Sequence, residues 1–197
     1  MRPGARRIRG FTLIELMTTI LVIVVLLILA TPSFISFRQR SALRGAGEQV
    51  FSLWNQARLE AAKRNQLVKF VVKSSGTDFC IGLAETTDKA DETACDCMTN
   101  ACGIANFPGQ GSQGGWNGVT LSGTPTLGGT KGVVVIDPKL TQLTEAGDVG
   151  AISLNGPVGR NAYKLNMVVD RVGRGYLCES KTAAAHMSDY TQRKCDP

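Results

Sequence analysis

Few residues in this chain are of types that do chemistry, and their spacing restricts what chemistry is open to them. Among 197 residues there is one histidine, His186, in the polar segment "AAAHMSDY". No nucleophile elbow and no second metal-binding side chain accompany it, so neither a Ser-His-Asp arrangement nor a histidine metal site can be built around it. We expect it to be an exposed residue of the C-terminal segment. Cys95, Cys97 and Cys102 lie close enough together to suggest thiolate ligation of a soft metal. The segment offers no histidine, however, and its spacing is not the pair-and-pair pattern of zinc sites. "GTPTLGGTKG" contains glycines and a lysine without phosphate-loop spacing, and it lies between strand-like segments instead of opening a helix, so it reads as a turn. The inventory predicts no enzyme, no cofactor and no metal.

The other residue that asks for an explanation is Glu15, the one carboxylate inside "RGFTLIELMTTILVIVVLLILATP". Residues 11–30 are long enough as a helix, at about 1.5 Å per residue, to cross the roughly 30 Å of hydrocarbon in a bilayer. An acid within such a span costs about 2.5 to 3.5 kcal/mol unless it lies near an interface or meets a cation. The next basic residue is Arg38, too far along the chain to serve. Cleavage between Gly10 and Phe11 would create an α-amino group about one helical turn before Glu15. In a bundle of parallel helices, the amine of one chain would then meet the carboxylate of the next.

The surroundings of the apolar run set its orientation. Arg2, Arg6, Arg7 and Arg9 precede it with no acid among them, which holds the N-terminus in the cytoplasm and sends the remainder across the membrane. All six cysteines follow the run, on the side where disulfides persist. The formal charge of +6 is concentrated in the leader: beyond residue 10 the balance is 18 basic against 16 acidic residues. Attraction to polyanions must therefore come from local patches. A cleaved secretory signal fits poorly, because the apolar core is too long and "LILATPSF" is a poor cleavage site.

With Gly10 before Phe11, Glu15 five residues after Gly10, a basic leader and Pro32 past the apolar run, "GFTLIELM" resembles the class III signal of type IV pilins and type II secretion pseudopilins. The resemblance implies cleavage by a prepilin peptidase after Gly10, N-methylation of Phe11, and guidance of the subunit into a helical filament by Glu15. It also implies other major or minor pilins and an inner-membrane assembly platform as partners.

Beyond Pro32 the chain reads as a continuing helix, with Leu43, Ala46, Val50, Trp54, Ala57 and Ala61 at three- and four-residue steps and Arg40, Arg44, Glu48, Arg58 and Lys63 opposite. Trp54 is expected as a core anchor. Pro32 should kink the helix, and Gly45 and Gly47 should be weak points. From residue 67 the period changes to two. "LVKFVV" (67–72), "FCIGL" (79–83), "GVVVID" (132–137), "GAISL" (150–154), "YKLNMVVD" (163–170) and "GYLCES" (175–180) read as strands. Within the fifth, Tyr163, Leu165, Met167 and Val169 alternate with Lys164, Asn166 and Val168, as in a half-buried strand. "CDCMTNAC" and "PGQGSQGGWNG" are polar and glycine-rich, and we expect an irregular exposed connection there.

"ARLEAAKRNQLVKF", residues 57–70, is similar to the junction segment of the GspH/FimT family of minor pseudopilins and minor pilins. The resulting expectation is an α+β, type IV pilin-like fold: a long N-terminal helix packed on a mainly antiparallel β-sheet. Residues 1–10 form a cleaved basic leader, residues 11–31 a transmembrane assembly helix, and residues 32–66 its amphipathic half. Residues 67–197 form a periplasmic β-rich domain with a Cys/Gly-rich loop at about 84–118. The function implied is a non-enzymatic minor subunit that assembles or primes a type IV pilus or a type II secretion pseudopilus. The protein would sit in the bacterial inner membrane with its domain periplasmic, or at the tip of a fibre.

The alternative is a tip-exposed adhesion or DNA-binding subunit. Some FimT-like pilins bind DNA through a "GRxR" segment, and here "VGRGYLC" keeps Arg174 but has Tyr176 in place of the second arginine. Arg171 and Lys181 would add phosphate contacts, with Tyr176 as a stacking surface. For the cysteines the favoured pairing is Cys178 with Cys195, one bridge within the 95–102 loop, and one from Cys80 to that loop.

Overall fold

The computed structural model describes residues 10–108, 116–129, 131–139, 143, 149–159 and 161–190, apart from the side chains of residues 30–32. Helix α1 (Leu13–Arg64) runs for 52 residues. Thr12 caps it by accepting the Glu15 backbone N–H at 3.3 Å. Asn65 ends it in the left-handed conformation, φ 52°, with its N–H returned to the carbonyls of Ala61 and Ala62. Two straight arms, Leu13–Leu29 and Ser33–Arg64, meet at 43°, and the interval between them is where the sequence carries Pro32.

Among the described residues eight strands follow: β1 (Leu67–Ser75), β2 (Asp78–Thr86), β3 (Ala105–Phe107), β4 (Thr120–Leu121), β5 (Val133–Ile136), β6 (Gly150–Asn155), β7 (Lys164–Val169) and β8 (Gly175–Glu179). They form two four-stranded sheets, ordered β3-β2-β1-β5 and β4-β6-β7-β8. Every pairing between them is antiparallel. The fold is thus the expected α+β class, a long N-terminal helix with antiparallel sheet, divided into two sheets.

The main core lies between both sheets and the second arm of α1. That arm buries the stripe read from the sequence, Leu43, Ala46, Val50, Trp54, Ala57 and Ala61, together with Leu53. Trp54 joins the two sheets. It meets Phe70 of β1 edge-on at 5.2 Å and donates its indole N–H to the Gly173 carbonyl at 3.0 Å. Gly47 is a seat more than a weak point, since a Cβ there would fall 2.4 Å from Leu165 Cδ2 of β7. The helix runs unbroken through both Gly45 and Gly47.

Two expectations need correction. On β7 the supposedly wet face is buried as well: Asn166 and Val168 are nearly inaccessible, and Val168 forms a separate cluster with Ala151 and Cys178. The connection after β2 is not simply exposed. Within it a short 3-10 turn (Cys97–Thr99) and β3 pack back on β2. Cys80, Ala84, Cys97 and Cys102 make a small buried cluster of their own. Further on, Trp116 stacks on Phe79 at 4.2 Å and donates to the Phe79 carbonyl at 2.7 Å. Two disulfides lock this region, Cys80–Cys97 and Cys95–Cys102. Cys178 is also disulfide-bonded; Cys195, its expected partner, lies outside the described residues.

Candidate assembly helix and basic hairpin

The first candidate site is built by the start of α1. Gly10, Phe11 and Thr12 are non-helical and exposed, so the Gly10–Phe11 bond lies in chain that an enzyme can draw into extended form. Glu15 occupies the first turn, where free backbone N–H groups and the helix dipole favour a negative charge. Sequence reasoning weighed Glu15 as a charge in hydrocarbon and missed the local signature: Thr12-x-x-Glu15 is the spacing of a capping box, and its Thr12 half is formed. The signal was legible in "TLIE".

Every large apolar side chain from Phe11 to Leu29 is exposed, so this arm is not packed into the core of the domain. Its hydroxyls are satisfied internally: Thr18 donates to the Glu15 carbonyl at 3.0 Å and Thr19 to the Leu16 carbonyl at 2.8 Å. A helix with apolar flanks and self-satisfied hydroxyls suits hydrocarbon or a bundle of like helices. Among the described residues no single straight helix is long and apolar enough to cross a membrane; the two bent arms pass that test together, by length and composition.

The second candidate site is the β7–β8 hairpin. Asp170 organises its turn, accepting from the backbone N–H groups of Val172 (3.1 Å) and Arg174 (2.8 Å). The Arg174 guanidinium also donates to Asp170 Oδ2 at 3.1 Å. Gly173, φ 73°, supplies the left-handed step. The structure brings Arg171, Arg174 and Tyr176 to one hairpin end, while Lys181 lies beyond the opposite end of β8. Arg174 is spent partly on Asp170, so Arg171 is the freer cation of the group. Sequence proximity alone could not reveal that commitment.

Ion pairs fasten the surrounding segments. Arg64 at the end of α1 reaches both Glu60 and Glu85. Lys69 of β1 holds Asp91 at 2.9 Å with both side chains largely buried. Its ammonium, helped by the hydroxyls of Thr93 and Thr86, keeps the Asp91 carboxyl far below the ordinary carboxylate range. Lys73 does the same more weakly for Asp96. His186 is exposed as expected, but its Nδ1 lies 2.9 Å from Oε1 of Glu179, a carboxylate only 1% exposed that also accepts the Met187 N–H. No cluster of three or more metal-ligating residues occurs among the described residues.

No curated protein and no solved structure gives a significant match to the chain. Residues 5–31 match the family model described as the prokaryotic N-terminal methylation motif, a stretch that holds the Gly10–Phe11 junction, Glu15 and the exposed apolar arm. The chain therefore carries the prepilin-like N-terminal signal of type IV pilin-like subunits.

Proposed function

We propose that the protein is a minor pilin or pseudopilin of the GspH/FimT type, a structural subunit that assembles or primes a type IV pilus or the pseudopilus of type II secretion. A prepilin peptidase cuts between Gly10 and Phe11, Phe11 is N-methylated, and the apolar arm first anchors the subunit in the inner membrane with its sheets on the periplasmic side. During assembly the same arm packs among those of neighbouring pilins, and Glu15 meets the N-terminal amine of one of them. The observation that carries this reading is the unbroken exposed apolar arm Leu13–Leu29, entered through an accessible Gly10–Phe11 segment and bearing one acid in its first turn.

Mass spectrometry of the N-terminus of the protein from its native membranes tests it. A chain beginning at methylated Phe11 supports the reading, and an intact leader overturns it. Replacement of Glu15 by Leu should leave the protein folded and in the membrane but absent from sheared filaments. A second reading, DNA capture at a filament tip, is favoured by the gathering of Arg171, Arg174 and Tyr176 on one hairpin. Gel shifts over a range of salt concentrations would reject it if the native protein gives no retardation at low salt.

A further inference from the structure

Helix α1 does not become amphipathic as soon as its apolar arm ends. Phe34, Ile35 and Phe37, in the first turns of the second arm, are all exposed, although the core-facing stripe begins only at Gln39 and Leu43. Arg38 and Arg40 follow at once. Between Glu15 and Glu48 the sequence has no acidic residue. Arg44 is matched, by Glu48 at 2.8 Å and by Asp189 at 2.9 Å. Neither Arg38 nor Arg40 has an acidic partner among the described residues. Cations this close to the exported end of a span oppose export, so their presence without an acidic partner among the described residues points to an anion that the membrane surface can supply.

We propose that this collar, Phe34, Ile35, Phe37, Arg38 and Arg40, is a seat for anionic phospholipid headgroups of the leaflet from which α1 emerges, holding the domain against the bilayer before assembly. The inference rests on the reading of the apolar arm as a bilayer anchor. Chain continuity fixes the level of the collar: Arg38 lies eight residues past Ala30, about 12 Å along the helix, or about 9 Å above the hydrocarbon once the 43° bend is included. Headgroups occupy roughly the first 5 to 7 Å outside the hydrocarbon. Helical side chains lean towards the helix N-terminus, here towards the membrane, so an arginine reaches the phosphates and the phenyl rings reach the acyl boundary. Grooves flank the collar on the domain side, one lined by Arg38, Gln39, Asn117 and Pro157 and one by Phe37, Arg40, Met187 and Asp189.

The test uses the full chain, reconstituted in vesicles of phosphatidylethanolamine with either phosphatidylglycerol or neutral phosphatidylcholine. Single spin labels are placed by Thr19→Cys, Ser41→Cys and Gln66→Cys, and their depth is read from collisions with oxygen and with a water-soluble nickel complex. In phosphatidylglycerol vesicles the Ser41 label should be shielded from nickel relative to the Gln66 label. Neutral vesicles, or Arg38→Gln with Arg40→Gln, should lower the ratio of engaged to free domain by about 30-fold, at about fivefold per arginine. Arg38→Lys with Arg40→Lys should retain most of it.

A Ser41 label as open to nickel as the Gln66 label in anionic vesicles, with the Thr19 label in lipid, overturns the collar and leaves the anchor standing. A Thr19 label in water overturns the anchor reading itself. Shielding at Ser41 that ignores lipid charge and grows with the protein-to-lipid ratio assigns the surface to a second copy, and also overturns the proposal.

Discussion

Replacing Gly82 by Ala tests whether the region after β2 is a packed unit and not a loop. Gly82 pairs with Val71 on one side and Asn106 on the other. A Cβ at that position would fall 2.2 Å from Cys102 Sγ and 3.0 Å from Cys97 Cβ. Neither sulfur can swing away, because Cys102 is bridged to Cys95 and Cys97 to Cys80. The Asn106 side chain also clamps the Cys102 backbone, accepting its N–H at 3.2 Å and donating to its carbonyl at 2.8 Å. Overpacking of this kind costs about 1 to 3 kcal/mol. If the Cys95–Cys102 bridge no longer closes, the lost constraint on a loop of sequence separation 7 adds about 2 kcal/mol, for a total near 3 to 5 kcal/mol. Urea unfolding of the fragment beginning at Ser33, followed through Trp54 and Trp116, measures the loss, and a thiol count on the unoxidised fraction shows where it arises. In a background with Cys95 and Cys102 both changed to Ala, which removes the obstructing sulfur, the same substitution should cost at most about 1 kcal/mol. Equal costs in the two backgrounds, with no free thiol in the single variant, would refute the packing described.

Trp54→Phe keeps an aromatic ring against Phe70 but strands the buried Gly173 carbonyl; we expect a loss of about 1 to 2 kcal/mol and faster amide exchange across residues 170–175, which hydrogen-exchange mass spectrometry reads. Asp91→Asn breaks the largely buried pair with Lys69 and should cost about 2 kcal/mol. The folded pKa of Asp91 is depressed, so the pair stabilises the fold fully above the unfolded value of about 4 and loses that contribution as pH falls below it. The wild-type urea midpoint should therefore drop on acidification by more than that of Asp91→Asn. His186→Ala removes a partner of the buried Glu179 carboxylate; because the imidazole is mostly exposed, the cost should be about 1 kcal/mol, seen first as faster proteolysis within residues 182–190.

Where one periodicity dominates, the sequence already contains the structure. The stripe from Leu43 to Ala61 is such a case, because burial of one face imposes its repeat on the residues, whereas β2, β5 and β7 were legible as short apolar runs and are buried on both faces. Strands β3 and β4 carry no such repeat: with three and two residues they owe their state to a neighbour already in place. The same holds for the buried side of the Cys-rich region, whose sulfurs and small residues replace the apolar run that would have advertised a core. Asn166 and Val168 misled for the opposite reason, since alternation marks a strand with one wet face and cannot register a covering contributed by distant chain. At the start of α1 the motif from Gly10 to Glu15 was plain, while the local capping role of Thr12 was hidden by the attention a lone acid attracts. On the basic hairpin, the residues were legible and their electrostatics were not, because Asp170 sits next to Arg171 in sequence yet is spent on Arg174.

The second arm of α1 carries the domain as one piece, and this bears on how any pull on the first arm is transmitted. Contacts between arm and domain are spread from Gln39 to Arg64: Gln39 donates to the Pro157 carbonyl, Gly47 receives Leu165, Trp54 joins β1 to the β7–β8 turn, and Arg64 reaches Glu85 of β2 at the end of the helix. Sliding the helix against the sheets would have to break the aromatic and apolar packing of this stripe together, because the side chains interdigitate and have no intermediate register. Bending at the interval between Leu29 and Ser33 breaks none of these contacts, which all lie at or beyond Gln39. Freedom of orientation is thus confined to the junction between the arms, and a force along the apolar arm moves both sheets, with the basic hairpin hung on Trp54, as a rigid load.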